Sequence, residues 1–475
     1  MLISLIEEAL WEHGDSVAVT DAHTALGYRE LAEESARVAK ELAAHLGPYG
    51  ERARVGIRGG NSTAYVVLYL AVLRAGCVPF LLDRTSGPQE TEAIAEDCGL
   101  DLLLYEPGTP PPVYSSVVAS PQGMLLSALP SRARRPDLCD TTQVARFTSG
   151  STGRPHCVEF SGRAVHRAAV NWIEGTGLGA DDRILCFASL SNGLAFNTSL
   201  LPAFLAGARL HLGHGLPTAS RVVRMLEQTG ATRLVGFPAL YDSLVRRGPA
   251  LPAFSGLRMA ISSAAPLSPE TKERFIARTG VAIQNYYGAA EAGPLTFAAD
   301  PVTDPGLGKP LPGVSLRAGR SAEEPEAVEV RSESMGTRYL NAPGLLESRL
   351  TPDGHYRTGD LGYLAGGSLV LTGRTSQVIN IGGRKIDAVE VTDVLRGAEG
   401  VRDAVVLHVT DRHGGDALAA VLAAEPSLDT VALRRHVGAR LAAHKVPTLV
   451  QVVPRIPRGS SGKPAMAEIR QMFDR

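Results

Sequence analysis

Thr148, Ser149, Ser151 and Thr152 alternate with Gly150 and Gly153 in the stretch Phe147–His156, which reads F-T-S-G-S-T-G-R-P-H. Glycine lets backbone N–H groups turn inward at positive φ, and the hydroxyls add donors, so such a loop can wrap a chain of phosphates. A Ser/Gly tether is the commoner meaning of this composition. The β-like runs on either side, Thr142–Phe147 and Cys157–Phe160, favour a turn between strands instead. The loop is not a Walker A sequence, because no Gly-Lys-Ser/Thr follows.

Four later segments carry polar residues that could serve the same site. Asn285–Glu291 reads N-Y-Y-G-A-A-E, just after a strand expected over Val281–Gln284. Tyr356–Gly362 reads Y-R-T-G-D-L-G, Gly373–Ile386 reads G-R-T-S-Q-V-I-N-I-G-G-R-K-I, and Arg458–Lys463 reads R-G-S-S-G-K. Taken singly, each has an ordinary meaning: a solvated Glu, a tight turn, an exposed Lys in a flexible loop. Their order and spacing along one chain make them informative together.

The elements that must position these residues alternate in type. Val17–Thr20, Arg54–Ile57, Val78–Leu82, Arg183–Ala188, Arg209–Leu212 and Leu234–Gly236 read as strands. Helical spacing intervenes over Leu2–His13, the stretch through Leu46, Ala64–Ala75, Arg167–Leu178, Leu200–Ala206 and Val222–Thr229. This rhythm predicts an α/β fold with parallel-rich sheets covered by helices. After Val314 short strands and turns suggest a β-barrel-like subdomain, and the last hundred or so residues read as a small α+β unit. The expected division is a large domain over 1–374 and a small one over 375–475, with the boundary near Arg374–Ser376.

A chain of 475 residues can bury two or more cores, and 44% hydrophobic with 20% charged residues describes a soluble globular protein. A net charge of −1 offers no global field for nucleic acid or an anionic membrane. The five cysteines show no C-x-x-C pair and read as buried free thiols of a reducing compartment. Glu7, Glu8 and Glu12 interrupt the N-terminus where a signal peptide needs an apolar core, and Arg74 and Pro79 break the most apolar stretch. These features predict a cytoplasmic protein.

Together the segments resemble the AMP-forming adenylating enzymes: acyl- and aryl-CoA synthetases, stand-alone adenylation domains of nonribosomal peptide synthesis, and firefly luciferase. L-G-Y-R-E-L at Leu26–Leu31, L-R-A-G-C-V-P-F-L-L-D at Leu73–Asp83 and G-L-G-K-P at Gly306–Pro310 extend the resemblance over nearly the whole chain. It implies that Thr148–Gly153 wraps the β- and γ-phosphates of ATP and that Tyr287 stacks on adenine. Asn285 then lies near the base edge, with Ala264, Tyr286 and Gly288 beside the nucleotide. Glu291 becomes the Mg2+ ligand, Asp360 the acceptor of both ribose hydroxyls, Arg374 the basic partner at a hinge, and Lys463 a mobile lysine bridging the attacking carboxylate and the nucleotide. The implied small C-terminal domain is mobile. The implied reaction joins a carboxylic acid to AMP and then to a thiol, either coenzyme A or the phosphopantetheine of a carrier protein. A cation, a loop of donors and an inserted lysine are what two approaching anions require.

Three positions depart from the family pattern. His156 stands where Lys is usual, Ala290 where Thr is usual, and Ser376 where Asp or Lys is usual. Arg154, two residues before His156, is a candidate replacement for the missing charge. The departures leave a second class of reading open: a member that binds preformed acyl-AMP and makes only the thioester, or a nucleotide-binding pseudo-enzyme.

The resemblance also marks substrate-pocket walls at Asn192–Asn197 with the helix after it, including Phe196, at Gly236–Phe237, at Ser262–Ala265, including Ser263, and at Tyr286–Ala289. Between Asp182 and Asp242 the only acidic residue is Glu227, in an expected surface helix. A buried ammonium would lack a counter-ion, which disfavours an α-amino acid. The resemblance puts Asn192 where aryl-acid members often use Asn to meet a ring substituent; the alternative is an ordinary turn residue. The reading leans to an aromatic or rigid acid, with an amine acceptor as a more distant alternative.

Overall fold

The computed structural model describes residues 1–475 except 51, 110–115, 131–134, 149–154, 248–254, 264–266, 375–377, 383, 411–414, 458–463, 465 and 474–475. The side chains of Arg247, Arg374, Val378, Lys385, Val389 and Ala467 also lie outside the description. Ser149, Gly150, Ser151, Thr152, Gly153, Arg154, Ala264, Ala265, Ser376, Lys463 and the Arg374 side chain, all singled out above, are among these.

Val78–Leu82 is buried at every position, as its unbroken apolar run requires, and lies between Arg54–Arg58 and Thr142–Thr148, parallel to both. These strands centre an eight-stranded sheet. A second sheet has nine strands, with Arg233–Gly236, Met259–Ser263 and Ile283–Ala289 in parallel at its heart. Helix Thr63–Arg74 is apolar on nearly all sides, so only burial on all sides suits it, and ten of its residues are buried. The Ser62 hydroxyl caps it by accepting from Tyr65 N at 3.1 Å. Helix Gly162–Thr176 is capped by Ser161 and ends at Gly177, whose φ of 60° continues no helix. Its Trp172 packs edge-on against Tyr286 and Phe297 of the second sheet, with ring centroids 5.2 and 5.4 Å apart.

The barrel-like subdomain is a four-stranded antiparallel sheet, Val314–Arg317, Glu326–Ser332, Tyr356–Ala365 and Ser368–Arg374. The smaller C-terminal domain packs helices Ala388–Arg396 and Thr430–Arg440 on a three-stranded sheet around Ile386, Val391, Leu395 and Leu418. None of the described helices is long and apolar enough to cross a membrane.

Two differences from the sequence reading bear on the site. The N-Y-Y-G-A segment does not follow its strand; it is the strand, Ile283–Ala289, which runs five residues past Gln284. The helix expected from Leu200 is preceded by a π-turn over Phe196–Leu200. That wider turn has no apolar periodicity of its own to announce it. Away from the site, strands Ser116–Ala119 and Leu125–Ala128 went unread, because the first is an exposed edge without alternation.

Candidate active site

The end of Thr142–Thr148 and the end of Ile283–Ala289 meet at a cavity of about 480 Å3, a size suited to a small-molecule ligand. Thr148 lies at its edge, paired with His156 on the returning strand. Alternation along Ile283–Ala289 sends Tyr286 and Tyr287 to opposite faces. Tyr286 lines the cavity, and burial pushes its hydroxyl up to about 12. Tyr287 packs away from it, its hydroxyl donating to Asp360 Oδ2 at 2.6 Å.

Asp360 reaches the cavity through a bulge. Ala327 pairs with Leu361 and Glu329 with Arg357, so Thr358–Asp360 stand opposite Val328 alone, with Gly359 at φ 83°. Thr358, Gly359 and Asp360 all line the cavity, and Asp360 is 3% exposed. A buried carboxylate held by a tyrosine can accept a pair of vicinal hydroxyls.

Glu291 follows the strand by two residues. Its Oε1 accepts from the Tyr339 hydroxyl at 2.6 Å, and its backbone carbonyl accepts from Gly336 N at 2.7 Å. Among the described residues no three His, Cys, Asp or Glu side chains cluster as a metal cage. One fixed, half-buried carboxylate in a cavity fits Mg2+, which is commonly held by one or two carboxylates together with substrate phosphates.

His156 is 7% exposed, its ring 5.1 Å from that of Tyr339. Burial first, and the nearby Arg349 second, hold its imidazole below the usual value, so it is neutral near pH 7. Arg349 lines the same wall, donating to the Tyr356 hydroxyl at 3.2 Å and lying within the field of Glu291. Sequence reasoning missed this arginine. It lies in a short 3-10 turn, Glu347–Arg349, with no motif around it.

The remaining expected residues divide. Asn192, Ser263 and Gly288 line the cavity. Asn192 Oδ1 accepts from Leu194 N at 2.9 Å, the turn role, while Ser263 Oγ donates to Tyr286 O at 2.7 Å. A Cβ on Gly288 would meet the Tyr286 hydroxyl at 2.4 Å, so only glycine fits there. Phe196, Phe237 and Ser262 do not line the cavity; the π-turn presents Asn197 in place of Phe196. Asn285 also sits behind it, holding Gly306 O at 3.3 Å. Glu227 is exposed, as expected, and among the described residues the wall formed by Arg146, Ser191–Leu194, Asn197 and Tyr286 contains no carboxylate.

At its other end the cavity opens between the two domains, lined by Asp83, Ser86 and Glu90 on one side and Arg384, Asp387, His444 and Lys445 on the other. Lys445 Nζ lies 2.7 Å from Glu390 Oε1 and 3.4 Å from Glu90 Oε1, all three buried. Arg384 Nη1 reaches His444 Nδ1 at 3.0 Å and Thr85 Oγ1 at 3.2 Å.

The models of two families match this chain: AMP-binding enzyme over residues 6–319, and AMP-binding enzyme C-terminal domain over 390–463. A feruloyl-CoA synthase of Amycolatopsis is 29% identical over 477 residues, covering 96% of each chain. A malonyl-CoA ligase, solved as a ternary product complex with methylmalonyl-CoA and AMP, superposes with a TM-score of 0.81 at 28% identity, covering 94% of this chain and 97% of the other. An amide bond synthetase from Marinactinospora thermotolerans gives 0.82 at 26% identity, covering 98% and 99%.

Proposed function

The chain belongs to the AMP-binding enzyme family, and from that premise we propose that it activates an aromatic or rigid carboxylic acid as acyl-AMP, releases pyrophosphate and passes the acyl group to a thiol. The observation that carries this reading is that Glu291 and Asp360, each oriented by a tyrosine hydroxyl, open onto one cavity with Thr148. Asp360 accepts the ribose hydroxyls, and Glu291 holds Mg2+, which supplies charge neutralisation at the phosphates. Arg349 adds a fixed cation where His156 supplies none. Lys463 enters for the first half-reaction and withdraws for the second, with the hinge near Arg374–Ser376 dividing 1–374 from 375–475.

In this reading the wall of Arg146, Ser191–Leu194, Asn197 and Tyr286 is the acyl end, and the Tyr286 ring there favours a flat or rigid acyl group. The absence of a carboxylate among the described residues of the acyl end speaks against an α-amino acid. The opening between the domains suits a thiol on a long arm, from coenzyme A or a carrier protein. The feruloyl-CoA and malonyl-CoA relatives bear names that fit a thiol acceptor; the amide bond synthetase keeps an amine in view. The reading places the reaction in the cytoplasm, where its nucleotide and thiol substrates are found.

Buried, neutral His156 is the observation favouring a member that only converts preformed acyl-AMP. Acid-dependent exchange of labelled pyrophosphate into ATP by the full chain separates the two. Exchange supports activation; thioester formation from supplied acyl-AMP without exchange supports the narrower reading.

A further inference from the structure

Arg146, two residues before Thr148 on the same strand, is 5% exposed and lines the acyl end of the cavity. Its guanidinium carbon lies 5.3 Å from the centre of the Phe160 ring and 5.0 Å from that of Phe196. Nη1 donates to Asn197 Oδ1 at 3.2 Å. No carboxylate among the described residues lies at ion-pair distance; burial pushes the guanidinium below its usual value, and Tyr286 and then Glu291 oppose that shift only in part and from further away. The hydroxyls of Tyr65 and Tyr69 stand in the same buried neighbourhood without a hydrogen-bond partner among the described residues, so they form no compensating network around it there. Gly193 leaves room for the group, since a Cβ there would lie 2.9 Å from Nη2.

An arginine has five N–H donors in a planar fork that matches a carboxylate, and a buried cation without an anion is costly. Two aromatic faces offset part of that cost. An apolar side chain would fill the space between Phe160 and Phe196 without any such penalty. The strand keeps the charge facing the cavity instead.

We infer that Arg146 receives a second anionic group of the acid substrate, a carboxylate or a sulfonate, at the end remote from the carboxylate that is adenylated. The inference rests on the acid-activating reading above and narrows it to acids with two acidic groups. It also agrees with the argument against an α-amino acid, because a guanidinium repels an ammonium.

The test is pyrophosphate exchange by the full chain with matched acids: benzoate against isophthalate, terephthalate and 3-sulfobenzoate, and propionate against malonate and succinate. The wild type should favour a doubly acidic member over its singly acidic partner, and Arg146→Met should lose about 30- to 1,000-fold on that member, mostly through its KM. The singly acidic partner should lose far less than its doubly acidic counterpart, Arg146→Lys should keep part of the preference, and the KM for ATP should change less than the KM for the acid in both variants. A carboxylate or a sulfonate is distinguished by which aromatic partner exchanges. Preference for singly acidic substrates in the wild type, or equal loss on both members of a pair in Arg146→Met and Arg146→Lys alike, overturns the inference while leaving acid activation standing. Absence of exchange with every acid, alongside thioester formation from supplied acyl-AMP, overturns both readings together.

Discussion

The Tyr287 hydroxyl donates to Asp360 Oδ2 at 2.6 Å, tying the strand that carries Tyr286 and Gly288 to the bulge that carries the buried carboxylate. A hydrogen bond to a charged group contributes about 1.5–3 kcal/mol. Tyr287→Phe should therefore raise the KM for ATP by about tenfold or more without unfolding the protein. Asp360→Ala should weaken ATP and acyl-AMP binding together and more severely. Unchanged ATP affinity in both variants, measured by calorimetry, places the nucleotide elsewhere.

Arg349 is the fixed cation on the wall that carries His156, a role for which the sequence offered only Arg154, outside the described residues. With the imidazole held below 6.5 by burial and by Arg349, the wild-type KM for ATP should be flat between pH 7 and 8. It should change only as pH falls below about 6.5 and the ring takes a proton. Arg349→Ala should raise that KM about tenfold or more, the loss of one charge-assisted contact. His156→Lys should not lower it, because a second cation would be buried beside the first. The opposite pattern, His156→Lys tightening ATP and Arg349→Ala silent, returns the role to position 156.

Lys445 lies between Glu90 of the large domain and Glu390 of the small one, and it is 3% exposed. Removing one partner of a buried ion pair costs about 3–5 kcal/mol, because the other charge stays behind. Burial already pushes the Glu390 carboxyl up, and Lys445 opposes that shift. Lys445→Met should lower the thermal midpoint by several degrees, and adding Glu390→Gln should restore part of the loss. Additive losses in the double variant argue that the groups do not interact in solution.

His211 accepts or donates one hydrogen bond with Thr20 Oγ1 at 2.7 Å, and burial pushes its imidazole down to about 4. The unfolded chain binds this proton near pH 6.5 and the folded chain only near 4. Stability from this group is thus complete above pH 6.5 and lost as pH falls towards 4, by at most about 3 kcal/mol. His211→Asn should flatten denaturant-measured stability across that window. An unaltered slope shows that other groups govern the acid limb.

Much of the fold was legible because its strands are buried on both faces and read as unbroken apolar runs, as Val78–Leu82 does. Asp360 and Glu291 were legible because short glycine-bearing segments surround them. Arg146, Lys445 and Tyr339 were not, since each acts through neighbours distant in the chain, and Arg349 was not, because its short 3-10 turn carries no motif. Lys445 meets Glu90 across 355 positions and Tyr339 meets Glu291 across 48. The misplacement of Phe196 has a local cause, a π-turn that shifts the inward face by one residue.

Lys463→Ala should cut acyl-AMP formation by several orders of magnitude, since a lysine bridging two anions acts mainly in the transition state. Thioester formation from supplied acyl-AMP should survive. Equal loss of both half-reactions, followed separately by rapid quench, contradicts a lysine that leaves the site.

In the proposed reaction a carboxylate oxygen of the acid attacks the α-phosphate of ATP and pyrophosphate leaves, after which a thiol displaces AMP from the acyl carbon. Mass spectrometry of the products formed from an acid labelled with 18O in both carboxylate oxygens tests this directly. One labelled oxygen should appear in AMP, one should remain in the thioester carbonyl, and pyrophosphate should be unlabelled. Label in phosphate or pyrophosphate, or AMP without label, contradicts the account.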